Sequence, residues 1–262
     1  SLNSGTIKDA VGNNATLTLP TPGDSGSLGA NNALIIDTTA PTISGVSSST
    51  ADGSYKVGDS ITINVAFSEA VIVDTTNGTP TLELETGSTD RTATYSSGSG
   101  TNTLAFTYTV QESDTSSDLD YTSNGLSLNS GTIKDAAGNN ATLTLATPGA
   151  SGSLGANNAL IIDTTAPSAP SSLTTTSTTT SDTTPAITGT AEADSTVEVF
   201  SGGTSLGTTT ADGNGAFSFT PSSALSSGSH SIKATATDAA GNSSSLSSAL
   251  SVNILTSRSD LK

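Results

Sequence analysis

The carboxylates of this chain fall at recurring sequence positions and are its best candidates for chemistry. The motif DAxGN occurs three times, at Asp9–Asn13, Asp135–Asn139 and Asp238–Asn242. The hexapeptide IDTTAP occurs twice, at Ile36–Pro41 and Ile162–Pro167, and each copy carries one Asp. Carboxylates held close together repel one another, and a divalent cation converts that repulsion into attraction. Ca²⁺ suits such a site because it takes six to eight oxygen ligands in flexible geometry.

Alternating apolar residues predict the strands that must position these carboxylates. Apolar side chains at positions 61, 63, 65 and 67, and again at 104, 106, 108 and 110, alternate with polar ones, which predicts half-buried strands. Clusters of Gly, Asn, Asp and Ser between such runs predict turns. Short strands with turns every 8–12 residues are typical of an antiparallel β-sandwich. The shorter runs predict strands at residues 81–85, 91–95, 126–133, 142–145 and 160–163.

Residues 168–254 repeat this scheme more compactly. The Ser/Thr-rich stretch 171–184 is compatible with a mucin-like stalk, but we favour a first strand and a loop, because this region otherwise lacks its opening strand. The further candidate strands cover residues 186–191, 196–200, 204–211, 216–221, 229–238 and 244–254.

A long internal repeat defines the expected domain organisation. Residues 1–41 recur as residues 127–167 with three changes, Val11 to Ala137, Pro20 to Ala146 and Asp24 to Ala150, so the period is 126 residues. Fixed-period repeats indicate an array whose function scales with copy number. We therefore predict tandem sandwiches in an elongated array: residues 1–37 as the C-terminal part of a truncated repeat, 42–163 as a complete repeat, 168–254 as a shorter domain of a second type, and 255–262 as a tail or the start of a next unit.

Composition excludes several classes of function. The net charge is −16 and only seven residues are basic, so no basic patch for nucleic acid is expected. The sequence has no Cys, no signal peptide and no apolar run long enough to span a membrane. His230 is the only His, so neither a Ser-His-Asp triad nor a His-based zinc site has partners. We expect no enzyme and no catalytic residue.

The IDTTAP linkers, the Phe67–Val71 run FSEAV and the DAxGN motif together resemble bacterial immunoglobulin-like tandem repeats. Such repeats build giant secreted adhesins, including the calcium-binding extender regions of RTX-type and type-I-secreted adhesins of biofilms. The resemblance implies a β-sandwich fold, an extracellular location on the bacterial cell surface, a stalk function in cell adhesion, and calcium ions between neighbouring repeats. Because the chain opens inside a repeat, we expect targeting signals to lie elsewhere.

Sandwich topology predicts which carboxylates meet. The DAxGN turn and the turn after the FSEAV run lie at the same end of an immunoglobulin sandwich as the linker that precedes the domain. The segment TAEA, Thr190–Ala193, is in step with the Ser-Glu-Ala of that run. Against metal binding, Asp in a turn often caps its own backbone amides instead. The predicted calcium ligands are Asp37, Glu69 and Asp135 before residue 42, and Asp163, Glu192 and Asp238 before residue 168.

Two other acidic groups are weaker candidates. Asp52 and Asp59 flank a turn, where capping is favoured over metal binding. The acidic run of Glu112, Asp114, Asp118 and Asp120 is predicted to be a solvated loop.

The functional prediction is a calcium-stiffened extender that projects a distal adhesive domain. Two alternatives stay open: a carbohydrate- or protein-binding module, and a spacer in a secreted polysaccharide-degrading enzyme. Residues 1–37 nearly match 127–163, so strand exchange between molecules is a further hypothesis.

Overall fold

A computed structural model describes residues 2–255 of the protein. The chain divides into two compact units, Ser1–Thr39 and Ala40–Lys262. The regular elements are β-strands apart from two helices of four residues, which confirms the predicted all-β class. No helix in the described part of the chain is long and apolar enough to cross a membrane. The tail predicted at 255–262 lies, except for Leu255, outside the described residues.

The first unit has local structure, and none of its described residues belongs to a β-strand. Helix α1, Leu28–Asn31, begins after Ser27, whose Oγ accepts the backbone N–H of Ala30 at 3.2 Å. An isolated bridge joins Lys8 to Asn14. Both features form locally, since their partners lie a few residues apart in sequence.

The second unit begins with a sandwich of ten strands and one helical turn. One sheet has the strand order β1-β3-β6-β5-β4-β8, with β9 paired to β3, and a smaller sheet has the order β2-β10-β7. Their inward side chains form one core, which contains Ile61, Phe106 and Leu160. The elements are β1 (Ile43–Ser48), β2 (Gly53–Tyr55), β3 (Ser60–Asp74), β4 (Thr81–Leu84), β5 (Arg91–Ser97), β6 (Thr101–Thr109), β7 (Thr115–Ser116), β8 (Tyr121–Ser127), β9 (Thr132–Lys134), α2 (Leu154–Asn157) and β10 (Leu160–Asp163).

Two strand predictions in this sandwich are wrong. The strand predicted over residues 126–133 breaks into β8 and β9, because Asn129 and Ser130 adopt positive φ values of 48° and 71°. Gly131 keeps the break tight, since a Cβ there would lie 2.3 Å from the carbonyl oxygen of Gly78. The strand predicted over 142–145 reduces to one bridge between Thr142 and Thr42.

A second sandwich follows within the same unit. Its two sheets have the orders β11-β13-β16 and β12-β18-β17-β14-β15, and they enclose a separate aliphatic core that includes Val197, Ile232 and Val252. The strands are β11 (Ser171–Thr174), β12 (Thr179–Thr180), β13 (Ile187–Thr190), β14 (Thr196–Ser201), β15 (Thr204–Thr210), β16 (Ala216–Phe219), β17 (Gly228–Thr237) and β18 (Leu250–Ile254).

The strand predicted over residues 244–254 begins only at Leu250. Before that residue, serine hydroxyls accept hydrogen bonds from the backbone N–H groups of β17. Ser247 Oγ accepts the N–H of Ala234 at 2.9 Å, and Ser244 Oγ accepts the N–H of Ala236 at 2.9 Å. Serine side chains that bond to the backbone in this way compete with ladder formation.

The acidic run at residues 112–120 is not a solvated loop throughout, which corrects the prediction. Asp114 is buried, and its Oδ1 lies 2.7 Å from Nε of Arg91. Its Oδ2 accepts the hydroxyl of Tyr108 at 2.6 Å and the backbone N–H of Gln111 at 2.8 Å. Burial, reinforced by this hydrogen bond, raises the pKa of Tyr108. The network ties the end of β6 to β5 and to the loop that leads into β7.

Removal of the Asp114 carboxylate should destabilise the first sandwich. Asp114→Ala leaves the buried Tyr108 hydroxyl without its acceptor and Arg91 without its partner, which costs about 3 kcal/mol of unfolding free energy. Urea unfolding followed by tyrosine fluorescence measures this sandwich alone, because the four Tyr residues lie at positions 55, 95, 108 and 121. Exposed Glu112 gives the matched control, Glu112→Ala, which should change the value by less than about 0.5 kcal/mol. Equal stabilities for the two variants would contradict this role for Asp114.

Candidate metal centre

Hydrogen bonds fix the N-terminal end of the first sandwich around Pro41 and Thr42. The carbonyl of Thr42 accepts the N–H of Ser68 at 2.8 Å, and Ser68 Oγ accepts the N–H of Thr42 at 3.0 Å. The carbonyl of Pro41 accepts the N–H of Thr142 at 2.8 Å. These bonds therefore place three segments side by side: the start of β1, the middle of β3 and the residues after the turn at Asp135–Asn139.

Glu69 and Asp135 are brought together at this end. The pairing of β3 with β6 shifts register over residues 66–71, so Glu69 lies in an irregular part of β3. Beyond it, Ile72 pairs with Lys134 at the end of β9, which places Asp135 beside this irregular part. A carboxylate oxygen of Glu69 and one of Asp135 lie within 4.8 Å of each other. Asp135 is 4% exposed.

The Asp135 carboxylate also caps its own turn. Oδ1 accepts the backbone N–H of Asn139 at 2.8 Å, and Oδ2 accepts the Asn139 side-chain amide at 2.6 Å. Burial works to raise the pKa of Asp135, but hydrogen bonds from Asn139 and from the backbone of Gly138 and Ala137 outweigh it, and the pKa lies below its usual value. The aspartate is therefore held as a carboxylate.

The same turn forms at all three copies of the motif. Asp9 accepts the backbone N–H and the side-chain amide of Asn13, each at 2.8 Å. Asp238 accepts the corresponding two groups of Asn242, each at 2.9 Å. The hydrogen bonds from Asn13 likewise lower the pKa of Asp9. Capping is thus the structural role common to the three motif aspartates.

The spacing and charge of Glu69 and Asp135 fit a divalent cation. Two oxygens that share one Ca²⁺ each lie about 2.3–2.6 Å from it, so they are separated by at most about 5.2 Å. No Lys or Arg within residues 2–255 forms an ion pair with either carboxylate. The turn already directs donors from Asn139, Gly138 and Ala137 at the Asp135 carboxylate, so a cation there would share these oxygens with the donors of the turn.

The two linker aspartates share one local geometry. Asp37, in the first unit, accepts the N–H of Thr39 on Oδ1 at 2.9 Å, and Asp163 accepts the N–H of Thr165 on Oδ1 at 2.9 Å. Each bond spans two residues and defines an Asx turn at the start of the linker. That Asp37 ligates calcium stays a prediction.

At the second junction, which precedes residue 168, direct hydrogen bonds join the linker to the following sandwich. The side-chain amide of Asn242 donates to the carbonyl of Asp163 at 2.9 Å. Lys56 Nζ, from the turn between β2 and β3, donates to the carbonyl of Gly241 at 2.8 Å. An ammonium group thus lies against the turn that Asp238 caps, and the junction already holds a positive charge.

Glu192 is exposed, and Asp163, Glu192 and Asp238 do not all lie within 4.8 Å of one another in the part of the chain that the structure describes. Their calcium binding stays a prediction. Sequence reasoning missed Lys56, although one signal was available: it is the only basic residue between Lys8 and Arg91.

Of the two weaker acidic candidates, Asp59 caps its own turn, and Asp52 bonds to a distant segment. Asp52 Oδ1 accepts the N–H of Ala159 at 3.0 Å, and Asp59 Oδ2 accepts the N–H of Lys56 at 2.9 Å. Asp59 therefore caps as predicted, whereas Asp52 joins the start of β2 to the residue before β10.

Comparison with known proteins supports the fold. Residues 158–256 match the family model of the bacterial Ig-like domain. A search of curated proteins finds no match. Together with the antiparallel sheets, the family match confirms the predicted immunoglobulin-like class.

Solved structures similar to the chain include fibronectin(III)-like modules of Clostridium thermocellum CbhA, at 14% identity and a TM-score of 0.35, covering 82% of this chain and 94% of that one. A biofilm-associated protein BSP domain has 18% identity and a TM-score of 0.29, covering 79% of this chain and 29% of that one. A tetra-tandem repeat from the extending region of a large adhesion protein has 19% identity and a TM-score of 0.29, covering 81% and 49%. The chain thus spans about half or less of the last two.

Acid should destabilise the first sandwich partly through Asp135. Its folded-state pKa lies below the ordinary value of 3.8, so the folded state binds fewer protons than the unfolded state. The stabilisation is present above that ordinary value and is lost as pH falls through the folded-state pKa. Thermal melting by tyrosine fluorescence from neutral pH to pH 3 should therefore fall less steeply below about pH 4 for Asp135→Asn than for the wild type. Asp90→Asn, at an exposed position, is the control, and an unchanged acid slope in Asp135→Asn would refute the assignment.

Lys56 should order the second junction. Lys56→Ala removes the hydrogen bond to Gly241, so amide hydrogen exchange at residues 238–243 should speed up by about 5- to 10-fold, which corresponds to roughly 1 kcal/mol. Lys233→Ala on β17 is a charge-matched control and should leave these amides unchanged. Equal exchange in both variants would show that Lys56 contributes nothing to the junction.

Proposed function

We propose that this chain is a non-catalytic extender segment of a bacterial cell-surface adhesin, which projects a distal adhesive domain outside the cell. The observation that carries the proposal is the copied segment, residues 1–41 and 127–167, because it includes both core-forming residues and the linker to the next domain. A unit that is copied together with its connection can be added repeatedly. The match of residues 158–256 to a bacterial Ig-like domain supports an adhesin-type repeat.

Calcium at the junction before residue 42 would stiffen this segment. Glu69 and Asp135 supply two carboxylate oxygens with suitable spacing, and Asp37 supplies the third predicted ligand from a linker only four residues before Pro41. Backbone carbonyls and water would complete the shell of six to eight oxygens. Extracellular modules bind Ca²⁺ with dissociation constants of about 10⁻⁴–10⁻³ M. At ten times that concentration, binding stabilises the occupied state by about 1.4 kcal/mol.

The junction before residue 168 has a different donor set. Lys56 and Asn242 already hold the linker and the DAAGN turn together through direct hydrogen bonds. The predicted calcium ligands Asp163, Glu192 and Asp238 fit a cation less well, because their carboxylate oxygens do not all lie within 4.8 Å of one another and the ammonium group of Lys56 lies close to the turn. We therefore propose that this junction depends on Lys56 more than on calcium.

The rival function, direct binding of carbohydrate, finds little support in the aromatic residues. A carbohydrate platform needs an exposed ring, yet every Tyr and Phe of the chain is buried or half-buried. Tyr95, for example, packs its edge against Phe106, with ring centroids 5.9 Å apart. A spacer in a secreted polysaccharide-degrading enzyme would have the same mechanical role as an extender, which is to hold another domain at a distance.

Calcium titration of the chain tests the proposal. Isothermal calorimetry should detect a site with a dissociation constant of about 10⁻⁴–10⁻³ M. Small-angle scattering should show a narrower distribution of shapes with calcium than with chelator. Glu69→Gln and Asp37→Asn should each weaken binding at least about tenfold, since each removes a charged ligand. Glu85→Gln, which changes an exposed Glu on the same sandwich, should bind as the wild type does.

Two results would contradict parts of the proposal separately. If millimolar calcium produces neither heat nor a shape change, the carboxylates are turn caps only and the calcium proposal fails. If the particle is flexible with and without calcium, the extender proposal itself fails.

A further inference from the structure

The first and last segments of the first sandwich run side by side in the same direction. At one end of the sandwich, Thr42 forms a parallel bridge with Thr142. At the other end, β2 pairs in parallel with β10, so that Tyr55 lies opposite Ile162. The pairing therefore advances along both segments together, and the linkers before β1 and after β10 leave the sandwich at opposite ends.

Hydrogen bonds join these two segments at several points between their ends. The N–H of Val46, in β1, donates to the carbonyl of Gly152 at 2.9 Å. The N–H of Gly53, at the start of β2, donates to the carbonyl of Ala159 at 3.0 Å. The contact thus extends over the whole length of both segments, although only β2 and β10 form a regular parallel ladder within it.

Two asparagines after α2 fasten the part of the contact between β1 and β2. Asn157 donates its side-chain amide to the carbonyl of Val46 at 2.7 Å. Asn158 Oδ1 accepts the N–H of Ser48 at 2.7 Å, and the Asn158 side-chain amide donates to Asp52 Oδ1 at 3.2 Å. Asn158 therefore holds both ends of the loop that joins β1 to β2, where no strand pairing is present to hold it.

A pull on the two linkers would load this contact in shear. Because the segments run in the same direction and the linkers leave at opposite ends, tension slides one segment past the other. Bonds spaced along the contact then share the load and must break nearly together, whereas a contact peeled from one end loses its bonds one at a time. Forced unfolding is governed by the unfolding rate, so a barrier of this kind gives a long lifetime under tension.

The second sandwich has a much shorter contact of this kind. Its parallel ladder, between β12 and β18, spans two residue pairs. The N–H groups of Asn253 and Leu255 donate to the carbonyls beside it, those of Thr178 and Thr180, at 2.7 and 2.8 Å. The earlier strand β11 pairs antiparallel with β13. Tension on this sandwich is therefore resisted by fewer bonds at one end.

We propose that the contact between residues 42–55 and 142–163 is a mechanical clamp, which keeps the first sandwich folded when the chain is under tension. Asp52 and Asn158 are the side chains that fasten it. The inference rests on the proposed extender function for the direction of the pull, since an extender is stretched through its linkers. Under the same tension the second sandwich unfolds first and takes up the extension, while the first stays folded.

Constant-force unfolding of single molecules tests the order of events. The whole chain is held by its two ends in the presence of chelator, so the result does not depend on calcium. Unfolding of residues 42–163 releases at most about 440 Å of chain and that of residues 168–254 at most about 310 Å, so the two steps differ in length. The shorter step should come first in most traces, and a majority with the longer step first would overturn the proposal.

Substitutions at the two fastening residues test the clamp itself. Asn158→Ala should shorten the lifetime of the longer step at least about tenfold at the same force, because it removes bonds from both ends of the loop. The extended backbone of Asn158, with φ −141° and ψ 147°, accepts Ala without strain. Asp52→Ala, at an exposed position, should also shorten this lifetime. Asp52→Asn keeps an acceptor oxygen and should stay within about twofold of the wild type.

Asn129→Gly is the matched control outside the clamp. The Asn129 side-chain amide donates to the carbonyl of Thr79 at 3.0 Å and to the hydroxyl of Thr81 at 2.9 Å, which joins segments that tension does not slide apart. Gly tolerates the positive φ of 48° at this position. Both asparagine variants lose side-chain hydrogen bonds in the same sandwich, but only Asn158→Ala should shorten the lifetime under force.

Equal shortening in Asn158→Ala and Asn129→Gly, or no shortening in Asn158→Ala, would overturn the clamp. If Asn158→Ala does not fold, the comparison of Asp52→Ala with Asp52→Asn decides in its place, and equal lifetimes for that pair would overturn the clamp too. The clamp is measured as a lifetime and the extender as a shape in scattering, so failure of one is distinguishable from failure of the other.

Discussion

Closure of the first sandwich depends on pairing between residues that are far apart in sequence. β10 pairs with β2 and β7, and β9 pairs with the far part of β3, so the C-terminal segment of this sandwich is held by elements that precede it by up to about a hundred residues. The same sequence at residues 2–36 forms its turn and its helical cap without any strand. The segment therefore forms strands only where other strands are present to pair with it, and its own β-propensity is not enough to form them.

The candidate metal centre combines one local and one non-local feature. Asp135 is positioned by a five-residue turn that forms wherever the motif DAxGN occurs, in either unit. Glu69 is positioned by the irregular register of β3 against β6, which exists only when the sheet is assembled. The pair of carboxylates is therefore a property of the folded sandwich, and each half of it has a separate structural cause.

Alternation of apolar residues was a reliable guide where both faces of a strand were distinct, as in β3 and β6. It failed at residues 126–133, where Asn129, Ser130 and Gly131 interrupt the apolar pattern with a turn that has two residues at positive φ. It failed again at residues 244–249, because a serine hydroxyl can bond to the backbone of a neighbouring strand without changing the alternation of apolar residues. For the candidate site, the prediction that Glu69 lies close to Asp135 came from the expected sandwich topology and not from any local pattern.

The burial and the partners of individual charged residues could not be predicted from the sequence alone. In sequence, Asp114 resembles its exposed neighbours Glu112 and Asp118, and only the approach of Arg91 and Tyr108 in three dimensions makes it a core residue. Lys56 reaches a carbonyl 185 residues away in sequence, so no local pattern could reveal its partner.

The placement of the copied segment has a genetic consequence. Residues 1–41 and 127–167 are nearly identical and run from the strand-forming region through the linker. Recombination between two such stretches would remove or add one whole period of 126 residues and keep the reading frame. Every junction in the product would be of one of the two kinds already present, before residue 42 or before residue 168, and the positions that differ between copies are not buried in the packed one. A gene built this way can change the length of its product in fixed steps without requiring any new domain contact.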